Sequence, residues 1–96
     1  MPCYFVARIQ VHDEEAYARY LARCDEVFAR YEGRYLAVDA NPVPLEGSPD
    51  AERVVLIEFP SEAAFHRWYD SPEYREILAH RLAGAECTSV LVRGKS

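Results

Sequence analysis

The sequence lacks a long apolar run, a basic patch and a recognisable leader. No segment approaches the roughly 20 consecutive apolar residues of a membrane-spanning helix, and the N-terminus has no charged region followed by an apolar one. The formal net charge is -5, and lysine and arginine occur singly along the chain. Because binding to a nucleic-acid backbone requires clustered cations, we expect neither nucleic acid nor a membrane as a partner. We expect a soluble cytoplasmic protein.

The chain also lacks the usual signatures of metal and covalent chemistry. It has an odd number of cysteines, far apart in sequence, which suits neither a disulfide framework nor a zinc site: Cys3, Cys24 and Cys87. We interpret them as reduced, mostly buried thiols, with a reactive Cys3 as the less favoured alternative. The histidines have no metal-motif spacing: His12, His66 and His80. A haem ligand among them is disfavoured, and no nucleophile elbow, phosphate-binding loop or Cys/His dyad is present, so we expect no cofactor.

Apolar alternation predicts four strands in one domain that spans residues 1–96. Half of the 96 residues are apolar, which leaves room for a single sheet and two or three helices. The first strand alternates clearly, with Phe5 on one face and Tyr4 on the other. A proline-rich loop is predicted over residues 41–50, with room for a few extended residues near Leu45. The predicted strands cover residues 4–11, 34–39, 53–59 and 86–92.

Capping residues and helical spacing predict two helices, the second of which is broken in two. Asp13 caps the first helix, and Gly33 is a natural stop for it. Ser61 caps the second, Ser71-Pro72 restarts it, and the glycine before the last strand ends it. The resulting order, β-α-β-β-α-β, is the ferredoxin-like arrangement of an α+β fold. Its antiparallel four-stranded sheet carries both helices on one face.

The sheet face without helices is predicted to be too apolar for an isolated subunit. Four of the seven residues assigned to it are aliphatic or aromatic: Tyr4, Val6, Val54 and Leu56. An exposed patch of this kind needs cover, and a symmetric pair with sheet against sheet is the simplest way to supply it. We therefore predict a homodimer, a dimeric α/β barrel in which Arg8, Gln10 and Glu58 line a semi-enclosed cavity.

A set of short motifs extends along nearly the whole chain. The motifs are Asp13 with Tyr17 and Tyr20, Gly33-Arg34-Tyr35-Leu36, Leu45-Glu46-Gly47, Glu58-Phe59-Pro60-Ser61, Trp68-Tyr69 with Ser71-Pro72-Glu73-Tyr74, Arg81, and Val90-Leu91-Val92-Arg93-Gly94. In this order and spacing they resemble the DUF1330 family, a domain of unknown function in the dimeric α/β-barrel superfamily. The resemblance implies the fold and the dimer but no substrate. The superfamily includes cofactor-free monooxygenases, isomerases, haem-handling enzymes and stress-induced proteins, so function transfers only by analogy.

Three positions depart from the pattern of that family. Glu32 precedes Gly33 where the family has a glycine pair, and Arg93 stands in place of a glutamate. A second glycine pair, after the second strand, is replaced by Val38-Asp39-Ala40. The loss of backbone-accessible glycines is expected to alter how a ligand approaches that end of the strand.

Glu58 is the leading candidate for catalysis, because a carboxylate in an apolar strand normally has a partner or a task. In the functional interpretation, it removes a proton from a small acidic organic substrate inside an apolar cavity. The alternative, which we favour, is a salt bridge to one of three arginines or a hydrogen bond that holds the following loop. Those arginines are Arg8, Arg34 and Arg81.

Aromatic and basic side chains are the candidates for ligand binding. Trp68, Tyr69 and Tyr74 would form a wall for a planar ligand, although aromatics at helical spacing more often belong to the core. His66 is a weak candidate for a proton shuttle at the pocket mouth, and a solvated helix histidine is favoured. The candidate ligand-binding residues are Arg8, Gln10, Arg34, Trp68, Tyr69 and Arg81.

Two functions remain open. The first is a cofactor-independent enzyme, oxygenase- or isomerase-like, that acts on a small aromatic or enolisable metabolite. The second is a non-catalytic ligand-binding or stress-associated protein, in which the same polar residues only stabilise the barrel. In both cases the predicted partners are a second copy of the chain and a small organic molecule.

Overall fold

Seven elements follow one another along the chain in the predicted order. The computed structural model describes residues 1–47 and 52–95. In that part, four strands form one sheet in which every pairing is antiparallel. The predicted α+β ferredoxin-like fold is confirmed. The elements are β1 (Cys3–Val11), α1 (Glu14–Phe28), β2 (Arg34–Asp39), β3 (Arg53–Phe59), α2 (Glu62–Tyr69), α3 (Pro72–Gly84) and β4 (Ala85–Arg93), with strand order β2-β3-β1-β4.

The strand register gives the sheet a helix-covered face and an outer face. Phe5 of β1 lies opposite Ile57 of β3 and Leu91 of β4 on the helix-covered side. Phe5 and Ile57 are buried. Tyr4 lies opposite Glu58 on the other side, as period-2 alternation requires. The outer face comprises Tyr4, Val6, Arg8, Gln10, Arg34, Ala37, Asp39, Val54, Leu56, Glu58, Glu86, Thr88, Val90 and Val92.

All three helices begin at the predicted caps. The Asp13 side chain accepts a hydrogen bond from the Ala16 amide at 3.2 Å. The hydroxyl of Ser61 accepts one from the Ala64 amide at 3.1 Å. Pro72 occupies the first turn of α3, where a missing N–H costs nothing. None of the described helices is long and apolar enough to cross a membrane.

Trp68 is the centre of an aromatic cluster between the helices and the sheet. Its ring stacks on Phe59 with 5.5 Å between centroids and meets Phe28 edge-on at 5.6 Å. Tyr74 of α3 lies 4.2 Å from Trp68, and all four rings are buried. Trp68 and Tyr74 therefore belong to the core, as their helical spacing indicates.

Two connections differ from the sequence-based expectation. Helix α1 ends at Phe28, well before Gly33. The glycine instead permits close packing, since a Cβ at Gly33 would lie 2.6 Å from the Phe28 ring. Residues 41–47 contain no strand, and Leu45 is exposed. The last part of the predicted loop, residues 48–50, lies outside the described residues.

We expect Ser71→Ala to destabilise the protein more than Ser61→Ala. The buried hydroxyl of Ser71 accepts a hydrogen bond from the Tyr74 amide at 3.2 Å and also donates one to the Trp68 carbonyl at 2.8 Å. Loss of a cap costs about 1 kcal/mol, and a further buried hydrogen bond adds about 1 kcal/mol. Urea unfolding should therefore show a loss of roughly 2 kcal/mol for Ser71→Ala and roughly 1 kcal/mol for Ser61→Ala. Equal losses would contradict a stabilising role for the second bond.

Candidate functional site

A cavity of about 420 Å³ lies between α1 and the helix-covered face of the sheet. Small-molecule sites span about 300–1,000 Å³, so the volume suits a ligand of one or two rings. Its floor comes from β1 and β3, one wall from α1, and its far end from α2 and α3. Most of the lining is apolar or aromatic. The lining includes Phe5, Tyr17, Tyr20, Arg53, Trp68 and Arg81.

Arg81 reaches the cavity because helical spacing places it on the buried face of α3. Tyr74, Ile77 and Leu78 precede it by one or two turns, and all three are buried. Only 3% of Arg81 is exposed. Within residues 1–47 and 52–95, no carboxylate forms an ion pair with it, and its Nε has no hydrogen-bond partner. An uncompensated buried charge is costly, which makes Arg81 a candidate for a functional role.

Two phenols lie beside Arg81. The hydroxyls of Tyr20 and Tyr74 share a hydrogen bond of 2.9 Å, and the Cζ of Arg81 lies 5.8 Å from the centroid of the Tyr20 ring. Burial raises the pKa of both phenols, so both are neutral hydrogen-bonding groups at physiological pH. Burial lowers the pKa of Arg81, but neighbouring groups that ionise at high pH, Tyr74 and Tyr20 first among them, together hold it above its ordinary value. The guanidinium is therefore a permanent cation.

Tyr17 and Arg53 extend this polar group along the cavity. The Cζ of Arg53 lies 5.7 Å from the centroid of the Tyr17 ring, a cation–π distance. Tyr17 also stacks on Tyr20, with 5.7 Å between centroids. Burial raises the pKa of Tyr17, while Arg53 and Arg81 partly oppose the rise. The cavity lining thus combines an apolar floor with three neutral phenols, Tyr17, Tyr20 and Tyr35, and two guanidinium groups.

The cysteines agree with their interpretation as free, largely buried thiols. Cys3 and Cys24 are buried and Cys87 is half-buried, all without a disulfide. Cys24 lines the cavity, and burial followed by the charge of Asp25 raises the pKa of its thiol. Burial also raises the pKa of Cys3, which opposes a reactive role. No group of three or more potential metal ligands occurs among the described residues.

The residue selected first for catalysis, Glu58, lies on the outer face rather than in the cavity. Its Oε1 accepts a hydrogen bond from the Nη2 of Arg34 at 2.8 Å, and 27% of the Glu58 side chain is exposed. This is one of the ion pairs favoured from the sequence. Arg8 pairs with Glu52 at 2.7 Å, and Gln10 is half-buried. The cavity predicted around these outer-face residues requires a second sheet and stays a prediction.

The other sequence candidates divide between the solvent side of α2 and the cavity. His66 is exposed, with its Nδ1 3.0 Å from an oxygen of Asp70. Tyr69 is half-buried and stacks on Phe65 with 5.0 Å between centroids. Neither His66 nor Tyr69 is among the described residues that line the cavity. Of the eight candidate residues named from the sequence, Trp68 and Arg81 line the cavity.

Sequence reasoning missed most of the cavity lining, including Tyr17, Tyr20 and Arg53. Periodicity alone assigns the tyrosines to packing along α1. Arg53 carries a usable signal, because it alternates in phase with the inward-facing Val55 and Ile57 of β3. A cation in phase with a buried strand face therefore predicts a site on that face.

We expect stability to fall as the pH rises above about 10, because the buried phenols resist ionisation. Burial raises the pKa of Tyr17, Tyr20 and Tyr74 in the folded state, whereas an unfolded tyrosine ionises near pH 10. Above that pH the unfolded state releases protons that the native state retains. Each such phenol lowers the unfolding free energy by up to about 1.4 kcal/mol per pH unit.

Urea unfolding at about pH 9 and about pH 11 measures this loss. Tyr20→Phe removes one of the titrating phenols, so its stability should fall less steeply over the same interval. An unfolding free energy that stays constant up to about pH 11 would contradict the burial of these hydroxyls.

Solved structures with this architecture come from several bacteria. RPA0582, a protein of unknown function from Rhodopseudomonas palustris, is 24% identical, with a TM-score of 0.83 over 99% of this chain and 83% of that chain. A dimeric ferredoxin-like protein of unknown function from Jannaschia sp. CCS1 is 16% identical, with a TM-score of 0.76 over 98% and 100%. SnoaB, a cofactor-independent oxygenase from Streptomyces nogalater, is 21% identical, with a TM-score of 0.70 over 99% and 94%.

At these identities the likeness to solved structures shows the fold alone. No curated protein matches the chain. The family resemblance seen in the motifs is confirmed independently, since the model of the domain of unknown function DUF1330 matches residues 2–95. The chain therefore belongs to the DUF1330 family.

Proposed function

We propose that this protein binds a small aromatic or enolisable molecule in the cavity and converts it without a cofactor, in an oxygenase- or isomerase-like reaction. The observation that carries the proposal is the cavity itself. It has about 420 Å³ of space, an apolar and aromatic lining, and a few polar groups that converge on it. A cofactor-independent oxygenase, SnoaB, has the same fold, which supports this reaction class by analogy.

The cavity groups suit stabilisation of a substrate oxygen better than strong general-base catalysis. The phenols that line the cavity, Tyr17, Tyr20 and Tyr35, have raised pKa values and are therefore neutral hydrogen-bond donors. Loss of a proton next to a carbonyl places negative charge on its oxygen, and such donors stabilise that charge. Glu58 and His66 remain the proton-transfer candidates from the sequence, but each already has a charged neighbour outside the cavity.

A non-catalytic ligand-binding protein is the second candidate function. One observation favours it: the hydroxyl and thiol groups that line the cavity have raised pKa values, so none of them acts as a base at neutral pH. In that case the cavity would bind its ligand and release it unchanged.

Ligand binding is testable through Trp68, the one tryptophan of the chain. Its indole N–H gives a single NMR resonance, which should shift saturably when a ligand enters the cavity. Val38→Phe should weaken that binding by about tenfold, or about 1.4 kcal/mol, because Val38 is a 52% exposed residue at the cavity edge. Val43→Phe is the matched control, since Val43 is 81% exposed and is not among the residues that line the cavity.

Turnover separates the two candidate functions once a ligand has been found. An enzyme should incorporate deuterium from D₂O into the bound compound or consume dioxygen with no added cofactor. Binding without either reaction would favour the non-catalytic function. Equal ligand affinities for Val38→Phe and Val43→Phe would show that the ligand does not bind in the cavity, which would contradict both candidate functions.

We also propose that the protein is a cytoplasmic homodimer joined through its outer faces. The apolar part of the outer face supports the dimer, because Val90 and Val92 are exposed beside the half-buried Val6 and Leu56. Solved relatives described as dimeric ferredoxin-like proteins support it further. Three free cysteines favour a reducing compartment.

Val90→Asp should convert the dimer into a monomer with its fold intact. Val90 is 59% exposed in the single chain, so the carboxylate costs little there, but it would be desolvated between two sheets. Light scattering after gel filtration should give about twice 11.0 kDa for the natural chain and about 11.0 kDa for the variant. Val43→Asp should stay dimeric, and a natural chain of about 11.0 kDa would refute the proposed interface.

A further inference from the structure

We infer that the ligand of the cavity is an organic anion with a planar apolar body, and that Arg81 binds its negatively charged group. The inference rests on the proposed function of the cavity as a small-molecule site and adds the charge of the ligand. The chemistry is that of a carboxylate or an enolate attached to an aromatic or conjugated ring system.

The first evidence for an anionic ligand is the distribution of ion pairs among the arginines. Eight arginines of the described chain each form an ion pair with a carboxylate: Arg8, Arg19, Arg23, Arg30, Arg34, Arg67, Arg75 and Arg93. Within residues 1–47 and 52–95, the two without such a pair are Arg53 and Arg81. Both line the cavity. The cavity therefore concentrates the cations that have no carboxylate partner among the described residues.

The charge of the cavity lining is opposite in sign to the net charge of the chain. The chain carries a formal net charge of -5, and its surface is rich in carboxylates. The described lining of the cavity contains one carboxylate, the exposed Asp25 at its edge, against two guanidinium groups. A cation in a low-dielectric enclosure attracts an anion more strongly than one in water does. An anionic ligand would supply the missing counter-charge of Arg81 through a charge-assisted hydrogen bond.

Unpaired donors and aromatic surfaces indicate the shape of the ligand. The Nε of Arg81 and the Nε1 of Trp68 are both buried and have no acceptor among the described residues. Trp68 packs against Tyr74 with 4.2 Å between ring centroids, and the hydroxyl of Tyr74 shares a hydrogen bond with that of Tyr20. Tyr17 and Tyr20 add a stacked pair on the wall of α1. Flat rings with acceptor oxygens match this combination.

The test compares 2-naphthoate with 2-naphthamide, which have nearly the same shape but differ in charge. The Trp68 indole resonance and calorimetry report binding to the intact protein at neutral pH. We expect the acid to bind at least tenfold more tightly than the amide. Arg81→Met should abolish that preference, and Arg81→Lys should retain part of it, because lysine keeps the charge but loses the planar donor geometry. Arg23→Met, a surface variant with the same charge change, should retain it fully.

The outcomes separate this inference from the proposed function. Saturable binding of both compounds with equal affinity would overturn the anion inference and leave the cavity as a site for neutral molecules. Binding of neither compound, nor of their enolisable counterparts 2-naphthol and 2-tetralone, would count against the proposed function itself. The comparison in the natural chain and in Arg81→Lys decides the question even if Arg81→Met fails to fold.

The melting temperature of Arg81→Met distinguishes a ligand-binding role of Arg81 from a structural one. If Arg81 is retained for ligand binding, Arg81→Met should melt at the same temperature as the natural chain or higher, because an uncompensated buried charge is replaced by an apolar side chain. Saturating 2-naphthoate should raise the melting temperature of the natural chain and not that of the variant. A ligand-free melting temperature well below that of the natural chain, together with unchanged acid preference in Arg81→Lys and Arg81→Met, would assign Arg81 to the scaffold.

Discussion

Burial of one sheet face beneath the helices is the constraint on which the rest of the structure depends. The central strand β1 pairs with β3 and β4, and its inward side chains are almost fully buried. Removal of this apolar surface from water is the main stabilising contribution to so small a domain. The same constraint leaves room for the cavity, because Ala7 is small and lies on the floor beneath α1. A larger residue at that position would fill the space that a ligand needs.

One helical stripe contributes both to the core and to the candidate site. Tyr74, Ile77 and Leu78 pack into the interior, and the next position of the stripe on α3 is Arg81. A stripe selected only for stability would continue with an apolar residue, since a buried guanidinium without a carboxylate is costly. Conflicts of this kind between local packing and a buried polar group are expected at functional sites. The conflict at Arg81 is therefore the strongest functional signal in the molecule.

Membership of the DUF1330 family and likeness to solved structures explain the architecture without assigning a reaction. Ferredoxin-like proteins carry out unrelated functions on one scaffold, so the function has to be argued from the site. Here the site lies between the helices and the sheet, on the opposite side from the outer face that is proposed to bind a second copy. Ligand binding and dimerisation can thus use separate faces of the same sheet.

The sequence by itself determined the elements, their order and the two faces of the sheet, because these follow from local periodicity and capping. Asp13, Ser61 and Ser71-Pro72 begin helices through contacts with residues a few positions away. The partner of Glu58 was open among three arginines, and only the β2–β3 register, which places Arg34 directly opposite, decided it. The tertiary structure also decided where the cavity lies and that Arg81 has no carboxylate partner among the described residues. Such facts depend on the packing of elements that are distant in sequence, which no local pattern encodes.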